Sequence, residues 1–136
     1  MMQKTFGMIK PGPIAAKEAG EVIRLIELNG FNIIRMEKRQ LSKQDAERFY
    51  AVHQSKPFFG ELVEYITSGP VIIMALEREN AITEWRNLMG ATDPSKAAVG
   101  TLRKMFGENI GNNAVHGSDA PETATLELGQ FFPDLR

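Results

Sequence analysis

The stretch Val71-Ile72-Ile73-Met74-Ala75-Leu76 is a continuous apolar run. Runs of this kind, bounded by turn residues, are typical of strands in the middle of a sheet. Ser68-Gly69-Pro70 lies directly before the run and ends the preceding element. The run therefore predicts a central strand, around which the rest of the chain is expected to pack.

Two further strands are predicted on the N-terminal side of this run. Residues 3–9 form the first, which ends abruptly at Lys10-Pro11-Gly12-Pro13. A helix over 14–28 follows, because apolar residues recur at helical spacing until Asn29-Gly30 supplies a stop signal. Residues 31–41 mix Phe, Ile and Met with interleaved charges, which favours a strand with one exposed face.

Helical patterns lie on both sides of the central run. Ser42, with Asp45 three residues later, is the predicted N-cap of a helix over 43–55. A short helix over 61–67 leads into the central strand, and another over 80–89 follows it.

The C-terminal part begins with an irregular stretch. Residues 90–112 contain Gly, Pro, Asn and Asp throughout, which predicts a long loop of the kind that often carries function. A short strand around Val115 and a helix over 122–132 complete the chain. The elements predict one domain over residues 1–136.

The order of the elements leaves two architectures open. A four-stranded sheet covered on one face, the split β-α-β arrangement of ferredoxin-like domains, accounts for it. A parallel, doubly wound sheet is nearly as well supported by the spacing.

The composition excludes several classes of protein. The chain has no cysteine, so disulfides, thiolate metal sites and cysteine nucleophiles are absent, as is common in a reducing cytosol. Its formal net charge is −1, so the chain has no overall positive potential that would attract nucleic acid or anionic lipid. No apolar run reaches membrane-spanning length. We expect a soluble, cytoplasmic protein that needs neither nucleic acid nor a membrane.

One of the two histidines, His116, lies in a cluster of small and polar residues. A neutral imidazole is a good nucleophile towards phosphorus and carbonyl carbon, and it works best when a carboxylate fixes its tautomer. Asp119, Glu122 and Glu127 are all near enough in sequence to serve, and the residues alone do not choose between them. The other histidine, His53, is interpreted as structural.

Several other residues suit a phosphorylated ligand. Lys10 at the end of a strand can reach a phosphate, and Arg86 and Arg103 flank the hydroxyl of Thr92. Tyr50 and the Phe58-Phe59 pair offer rings on which a base can stack. Neither a P-loop nor a Gly-x-Gly-x-x-Gly fingerprint occurs, and two distant histidines make a zinc site improbable.

The stretch from Asn113 to Glu122 matches the signature Asn-x-x-His-Gly-Ser-Asp-x-x-Glu at every specified position. It resembles the active-site signature of nucleoside diphosphate kinases, and the resemblance extends over essentially the whole chain. Further matching blocks include Lys56-Pro57-Phe58-Phe59, Ser68-Gly69-Pro70 and Gly100-Thr101-Leu102-Arg103.

The resemblance implies a fold and an activity. The fold is a ferredoxin-like βαββαβ core with a four-stranded antiparallel sheet and helices packed on it. The activity is ping-pong transfer of the γ-phosphoryl group from ATP to a nucleoside diphosphate through a phosphohistidine, which maintains CTP, GTP and UTP pools. The family uses Mg²⁺ held mainly by the nucleotide phosphates, with no dedicated protein metal site.

Carried over by position, the resemblance also implies residue roles. His116 is the nucleophile, Glu127 bonds its imidazole, and Ser118 supports that carboxylate, with Lys10 also catalytic. The implied nucleotide contacts are Lys10, Tyr50, Phe58, Leu62, Arg86, Thr92, Arg103 and Asn113. The implied assembly is a homo-oligomer, a tetramer or hexamer built from dimers.

Overall fold

A computed structural model describes residues 2–135. Its four strands are β1 (Met2–Ile9), β2 (Asn32–Arg39), β3 (Val71–Glu79) and β4 (Val115–Gly117). They form one sheet in the order β2-β3-β1-β4, and every neighbouring pair is antiparallel. The antiparallel pairing confirms the ferredoxin-like architecture and rules out the doubly wound alternative.

Helices connect the strands and flank the sheet. They are α1 (Pro11–Ala15), α2 (Ala19–Leu28), α3 (Lys43–Phe49), α4 (Phe59–Ile66), α5 (Ala81–Met89), α6 (Leu102–Phe106) and α7 (Pro121–Phe131). Short 3₁₀ turns cover Ala51–His53, Pro94–Lys96 and Pro133–Leu135. No helix within residues 2–135 combines the length and apolar character that crossing a membrane requires.

The predicted central strand is buried on both of its faces. Val71, Ile73 and Ala75 pack into one core cluster with residues of α3, α4 and α7. Met74 and Leu76 pack into a second cluster with residues of α2, α5 and α6. The expectation of a sheet covered on one face is therefore wrong. A strand without a polar face needs apolar cover on both sides, because side chains alternate along it.

Two predicted helices are shorter than expected. The helix predicted over 14–28 is divided into α1 and α2, because Lys17 takes a left-handed backbone conformation with φ of 64°. The helix predicted over 43–55 ends at Phe49 and continues only as a 3₁₀ turn. The predicted cap is confirmed, since the Ser42 hydroxyl accepts from the Asp45 backbone N–H at 3.0 Å.

The stretch 90–112 is less irregular than predicted, because it contains α6. Thr101 caps this helix by accepting from the backbone N–H of Lys104 at 3.4 Å. Leu102 is fully buried against the second core cluster. A threonine followed by Leu102 and Phe106 at helical spacing is the signal that could have revealed the helix.

Candidate functional site

The strand β4 carries His116 at an edge of the sheet. Met8 of β1 is its paired residue, and the indole of Trp85 donates to the His116 carbonyl at 3.3 Å. Just before the strand, Ala114 has a positive φ of 75°, while the Val115 N–H bonds the Asn113 carbonyl at 2.9 Å. This γ-turn is strained for a residue with a side chain, and it directs the chain sharply into β4.

The imidazole of His116 is held by a chain of two hydrogen bonds. Its Nε2 lies 2.9 Å from Oε2 of Glu127, and the Ser118 hydroxyl donates to Oε1 of the same carboxylate at 2.6 Å. A carboxylate only accepts, so Nε2 carries the proton and Nδ1 carries the lone pair. None of the hydrogen bonds among residues 2–135 involves Nδ1. The ring is therefore a base or nucleophile at Nδ1.

Packing fixes the same ring from the side. Phe49 meets the imidazole edge to face, with ring centroids 4.6 Å apart. Phe6 lies 6.2 Å away by the same measure. The imidazole is thus oriented by both a hydrogen bond and aromatic contacts, which limits the rotation that would misdirect Nδ1.

The structure distinguishes the three candidate carboxylates. Glu127 lies on the buried face of α7 with Ala124, Leu128 and Phe131. Asp119 is exposed and accepts from the Thr123 hydroxyl at 2.7 Å, while Glu122 is exposed in the first turn of α7. Only Glu127 contacts the imidazole, as the resemblance implied.

A cavity of about 1010 Å³ opens beside His116. All eight residues proposed as nucleotide contacts line it: Lys10, Tyr50, Phe58, Leu62, Arg86, Thr92, Arg103 and Asn113. Ser118 and Glu127 lie behind the imidazole and outside that lining. The volume suits a nucleotide, since pockets for small ligands reach about this size.

Lys10 follows β1 and is almost entirely buried. Its Nζ donates to Oδ1 of Asn113 at 2.7 Å, and the amide of Asn113 in turn donates to the Thr92 carbonyl at 3.1 Å. Burial, with a smaller contribution from the charge of Arg103, lowers the pKa of Lys10 to about 7. No carboxylate among residues 2–135 pairs with this buried amine, so it is a site prepared for an anion.

Arg103 lies close enough to Lys10 to affect its pKa, and two backbone carbonyls hold its guanidinium group. Its Nη1 donates to Gly90 at 3.1 Å and its Nη2 to Val115 at 3.0 Å. Burial and the neighbouring charge of Arg86 lower the pKa of Arg103 to about 10. Its Nε is buried without a hydrogen-bond partner among the described residues. Three clustered cations repel one another until a polyanion binds among them.

Aromatic residues also line the cavity. Phe58 is 43% exposed, which leaves its ring open to a ligand, whereas Phe59 packs against the first core cluster. Burial raises the pKa of Tyr50, so its hydroxyl keeps its proton and remains a donor. His53, interpreted above as structural, also lines the cavity and lies 5.6 Å from Phe58 between ring centroids.

Sequence reasoning missed several residues that line this cavity. Ile110, Asn112 and Tyr65 are the main ones, and they join α4 to the segment before the signature. No motif marks them, because their proximity depends on the tertiary fold. The concentration of asparagine and glycine in Asn109-Ile110-Gly111-Asn112, directly before Asn113, was the one available signal.

A family model described as nucleoside diphosphate kinase matches residues 3–136. The chain belongs to the nucleoside diphosphate kinase family. Its activity is accordingly that of a nucleoside diphosphate kinase, a phosphotransferase that acts on nucleotides.

Relatives and solved structures agree with this family. A nucleoside diphosphate kinase of Bradyrhizobium diazoefficiens is 53% identical over 96% of this chain and 94% of its own length. One of Desulfotalea psychrophila is 52% identical over 98% of both chains.

Solved members of the family have the same fold. The Aquifex aeolicus nucleoside diphosphate kinase matches with a TM-score of 0.94 and 36% identity, covering 97% of this chain and 96% of its own. A halophilic enzyme from Halobacterium salinarum, solved in complex with CDP, matches with a TM-score of 0.91 and 37% identity. The match covers 97% of this chain and 88% of that one.

Proposed function

We propose that the enzyme transfers the γ-phosphoryl group of ATP to a nucleoside diphosphate in two half-reactions, through a phosphohistidine at His116. The observation that carries this proposal is the bonding of Nε2 to Glu127 beside a cavity lined by three cations. Nucleophile, charge and volume lie together there, and phosphoryl transfer needs little else from a protein.

The first half-reaction uses the lone pair of Nδ1. As the N–P bond to the γ-phosphorus forms, the bond from that phosphorus to the bridging oxygen breaks, and ADP leaves with the electron pair. Glu127 stabilises the positive charge that develops on the imidazole, and Ser118 keeps the carboxylate oriented. In the second half-reaction a terminal oxygen of the nucleoside diphosphate attacks the phosphohistidine, and Nδ1 recovers its lone pair.

The phosphates are proposed to bind among Lys10, Arg86 and Arg103, with Thr92 and Tyr50 as hydroxyl donors. Asn113 orients the amine of Lys10. Because cations and donors are already in position, they stabilise the transition state without reorganising during the reaction.

The nucleoside is proposed to stack on Phe58, with Leu62 beside it and Asn113 near the ribose. Every base has a π-face, so a stacking contact tolerates purines and pyrimidines alike. This tolerance is what an enzyme that serves CTP, GTP and UTP synthesis requires.

Magnesium is the proposed cofactor, and the residues of the cavity fit it. Residues 2–135 contain no cluster of three His, Cys, Asp or Glu that could hold a metal ion, but Asp119 lines the cavity with one free carboxylate oxygen. Mg²⁺ is commonly held by one or two carboxylates and by substrate phosphates. When bound, the ion would neutralise charge on the phosphates, and Asp119 would help to hold it.

We further propose that residues 1–136 act as a single cytoplasmic domain that assembles into a homo-oligomer. The strand β2 supports the assembly, because it lies at the edge of the sheet and is largely exposed.

A burst experiment tests the proposed mechanism. Excess ATP alone should release at most about one ADP per active chain, and further ADP should appear only when a different diphosphate, such as GDP, is added. The His116→Ala variant should show no burst. A ternary mechanism, with no ADP release until the acceptor is present, would contradict the proposal.

A further inference from the structure

The hydroxyl of Tyr65 joins three segments of the chain. It accepts from the backbone N–H of Gly12 at 2.9 Å and donates to Oδ1 of Asn112. Burial raises the pKa of Tyr65, so the hydroxyl keeps the proton that it donates. The phenol thus connects α4, the start of α1 and the segment that leads into the signature.

Two of these segments, α4 and the segment that leads into the signature, carry part of the cavity wall. The helix α4 begins directly after Phe58 and carries Leu62. On the facing segment, the Asn112 carbonyl accepts from Glu108 at 2.8 Å, and the Asn112 N–H donates to the Asn109 side chain at 2.9 Å. These bonds close residues 108–112 into a small loop with Ile110 exposed at its tip. Phe58 and Ile110 therefore lie on two elements that Tyr65 links.

The absence of a side chain at Gly12 is a second, independent observation. A Cβ built there would lie 2.7 Å from Oδ1 of Asn112 and 2.8 Å from the Tyr65 hydroxyl. Real Cβ atoms are essentially never found so close to another heavy atom. The glycine allows the backbone N–H to approach the phenol, so the three-way junction is a packed feature of the site.

We propose that Tyr65 is a positioning residue that sets the spacing of the nucleoside end of the cavity, by tying α4 to the 108–112 loop. The inference rests on the proposed function, in which Phe58 receives the base. Without the bond between Tyr65 and Asn112, the 108–112 loop moves more freely relative to α4. Holding a nucleoside between the loop and the helix then costs more conformational entropy, which weakens nucleoside binding. The cations keep their own contacts, so binding of a phosphate group alone is left unchanged.

The test compares a nucleotide with a probe that has no nucleoside. Calorimetry measures the Kd of ADP and of inorganic pyrophosphate for Tyr65→Phe, Asn112→Ala and the double variant. Each single variant should weaken ADP binding about three- to tenfold, as expected for one hydrogen bond, with pyrophosphate unchanged. The double variant should be no weaker than Tyr65→Phe, because that single variant already removes the bond to Asn112 together with the bond from Gly12.

Two reference variants make the outcomes distinct. Thr67→Val removes another hydroxyl from the end of the same helix, which bonds the Val63 carbonyl at 2.7 Å, and should leave both affinities unchanged. Phe58→Ala should weaken ADP binding. If Phe58→Ala weakens ADP binding and Tyr65→Phe does not, the positioning role is wrong.

The remaining outcomes are also decisive. An equal loss of ADP and pyrophosphate affinity in Tyr65→Phe would mean that the tyrosine supports the fold in general, which overturns the inference. If Phe58→Ala leaves ADP binding unchanged, the proposed stacking itself fails, and the inference fails with it.

Discussion

At the scale of single residues, the chemistry depends on which imidazole nitrogen of His116 carries the proton. Glu127 accepts from Nε2 at 2.9 Å, and the Ser118 hydroxyl occupies the other carboxylate oxygen at 2.6 Å. The hydroxyl also prevents the carboxylate from turning away. Two residues that do not line the cavity therefore determine the reactivity of the one that does.

Glu127→Gln tests this control of the tautomer. The Ser118 hydroxyl needs an acceptor, so the glutamine oxygen should face Ser118 and its amide should face Nε2. The amide then favours the tautomer with the proton on Nδ1, and kcat should fall by about 100-fold or more. Steady-state kinetics measures the effect, with Glu122→Gln on the exposed first turn of α7 as the control. Unchanged kcat in Glu127→Gln would refute the role.

The lowered pKa of Lys10 has a measurable consequence in ligand binding. Burial, followed by the charge of Arg103, lowers the pKa of Lys10 from 10.5 to about 7. At about pH 8.5 the amine of the free enzyme is mostly neutral, and a bound polyphosphate raises its pKa. ADP binding at that pH should therefore take up a proton.

Calorimetry in two buffers of different ionisation enthalpy measures this proton uptake. The uptake should disappear in Lys10→Met, and equal proton uptake in both proteins would contradict the assignment.

The same lowered pKa determines the direction in which the stability of the fold changes with pH. Between about pH 7 and 10.5 the unfolded chain binds this proton and the folded chain does not, so Lys10 makes stability increase with pH.

At the scale of elements, the site depends on how closely β4 packs against α5. Trp85 of α5 is fully buried and its indole bonds the His116 carbonyl. Gly117 lies against the same indole, and a Cβ at this position would overlap Trp85 Nε1 and approach Met89 at 2.6 Å. The strand that carries the nucleophile therefore has no space for a side chain at residue 117.

Gly117→Ala should accordingly destabilise the fold by about 1–3 kcal/mol, the usual cost of overpacking. Gly20→Ala is the matched control, because Gly20 lies in α2 with nothing within 4 Å of a built Cβ. Alanine there should stabilise the protein by about 0.5–1 kcal/mol through its higher helix propensity. Urea unfolding measures both. Equal stability of the two variants would refute the close packing of β4 on α5.

The elements also show how far sequence reasoning reaches. Strand β3 follows from a run with no polar residue, and the cap at Ser42 follows from local hydrogen bonding. The division between α1 and α2 does not follow from the sequence, because the left-handed conformation of Lys17 has no sequence signal. The helix α6 was hidden by surrounding Gly, Pro and Asn residues.

The site has a similar limit. Residues in one signature, such as His116 and Ser118, can be singled out from their order. Selecting Glu127 over Asp119 needed either the family resemblance or the fold, because the choice depends on which face of α7 packs on the sheet. Tyr65 carried no signal, since its partners are 47 and 53 residues away in sequence.

At the scale of the whole molecule, the open edge of the sheet bears on assembly. Strand β2 is eight residues long and pairs only with β3 within the described chain. Met36 on this strand is 51% exposed. Long exposed edges are usually covered or paired.

Light scattering coupled to size exclusion should therefore give a mass of several chains, four or six being expected. Met36→Lys should reduce that mass, because a charge on an edge strand disfavours pairing. Leu126→Lys, a change at an exposed apolar residue of α7, should leave it unchanged. A monomeric parent protein would contradict the expectation.

The position of the phosphoryl group on the enzyme tests the proposed mechanism most directly. The protein is incubated with ATP and Mg²⁺, and the phosphorylated chain is examined by ³¹P NMR and by fragmentation of the peptide that contains His116. We expect one acid-labile phosphoryl group on Nδ1, which is transferred to added GDP. Phosphate on Nε2, on another residue, or on no residue of the folded enzyme would contradict it.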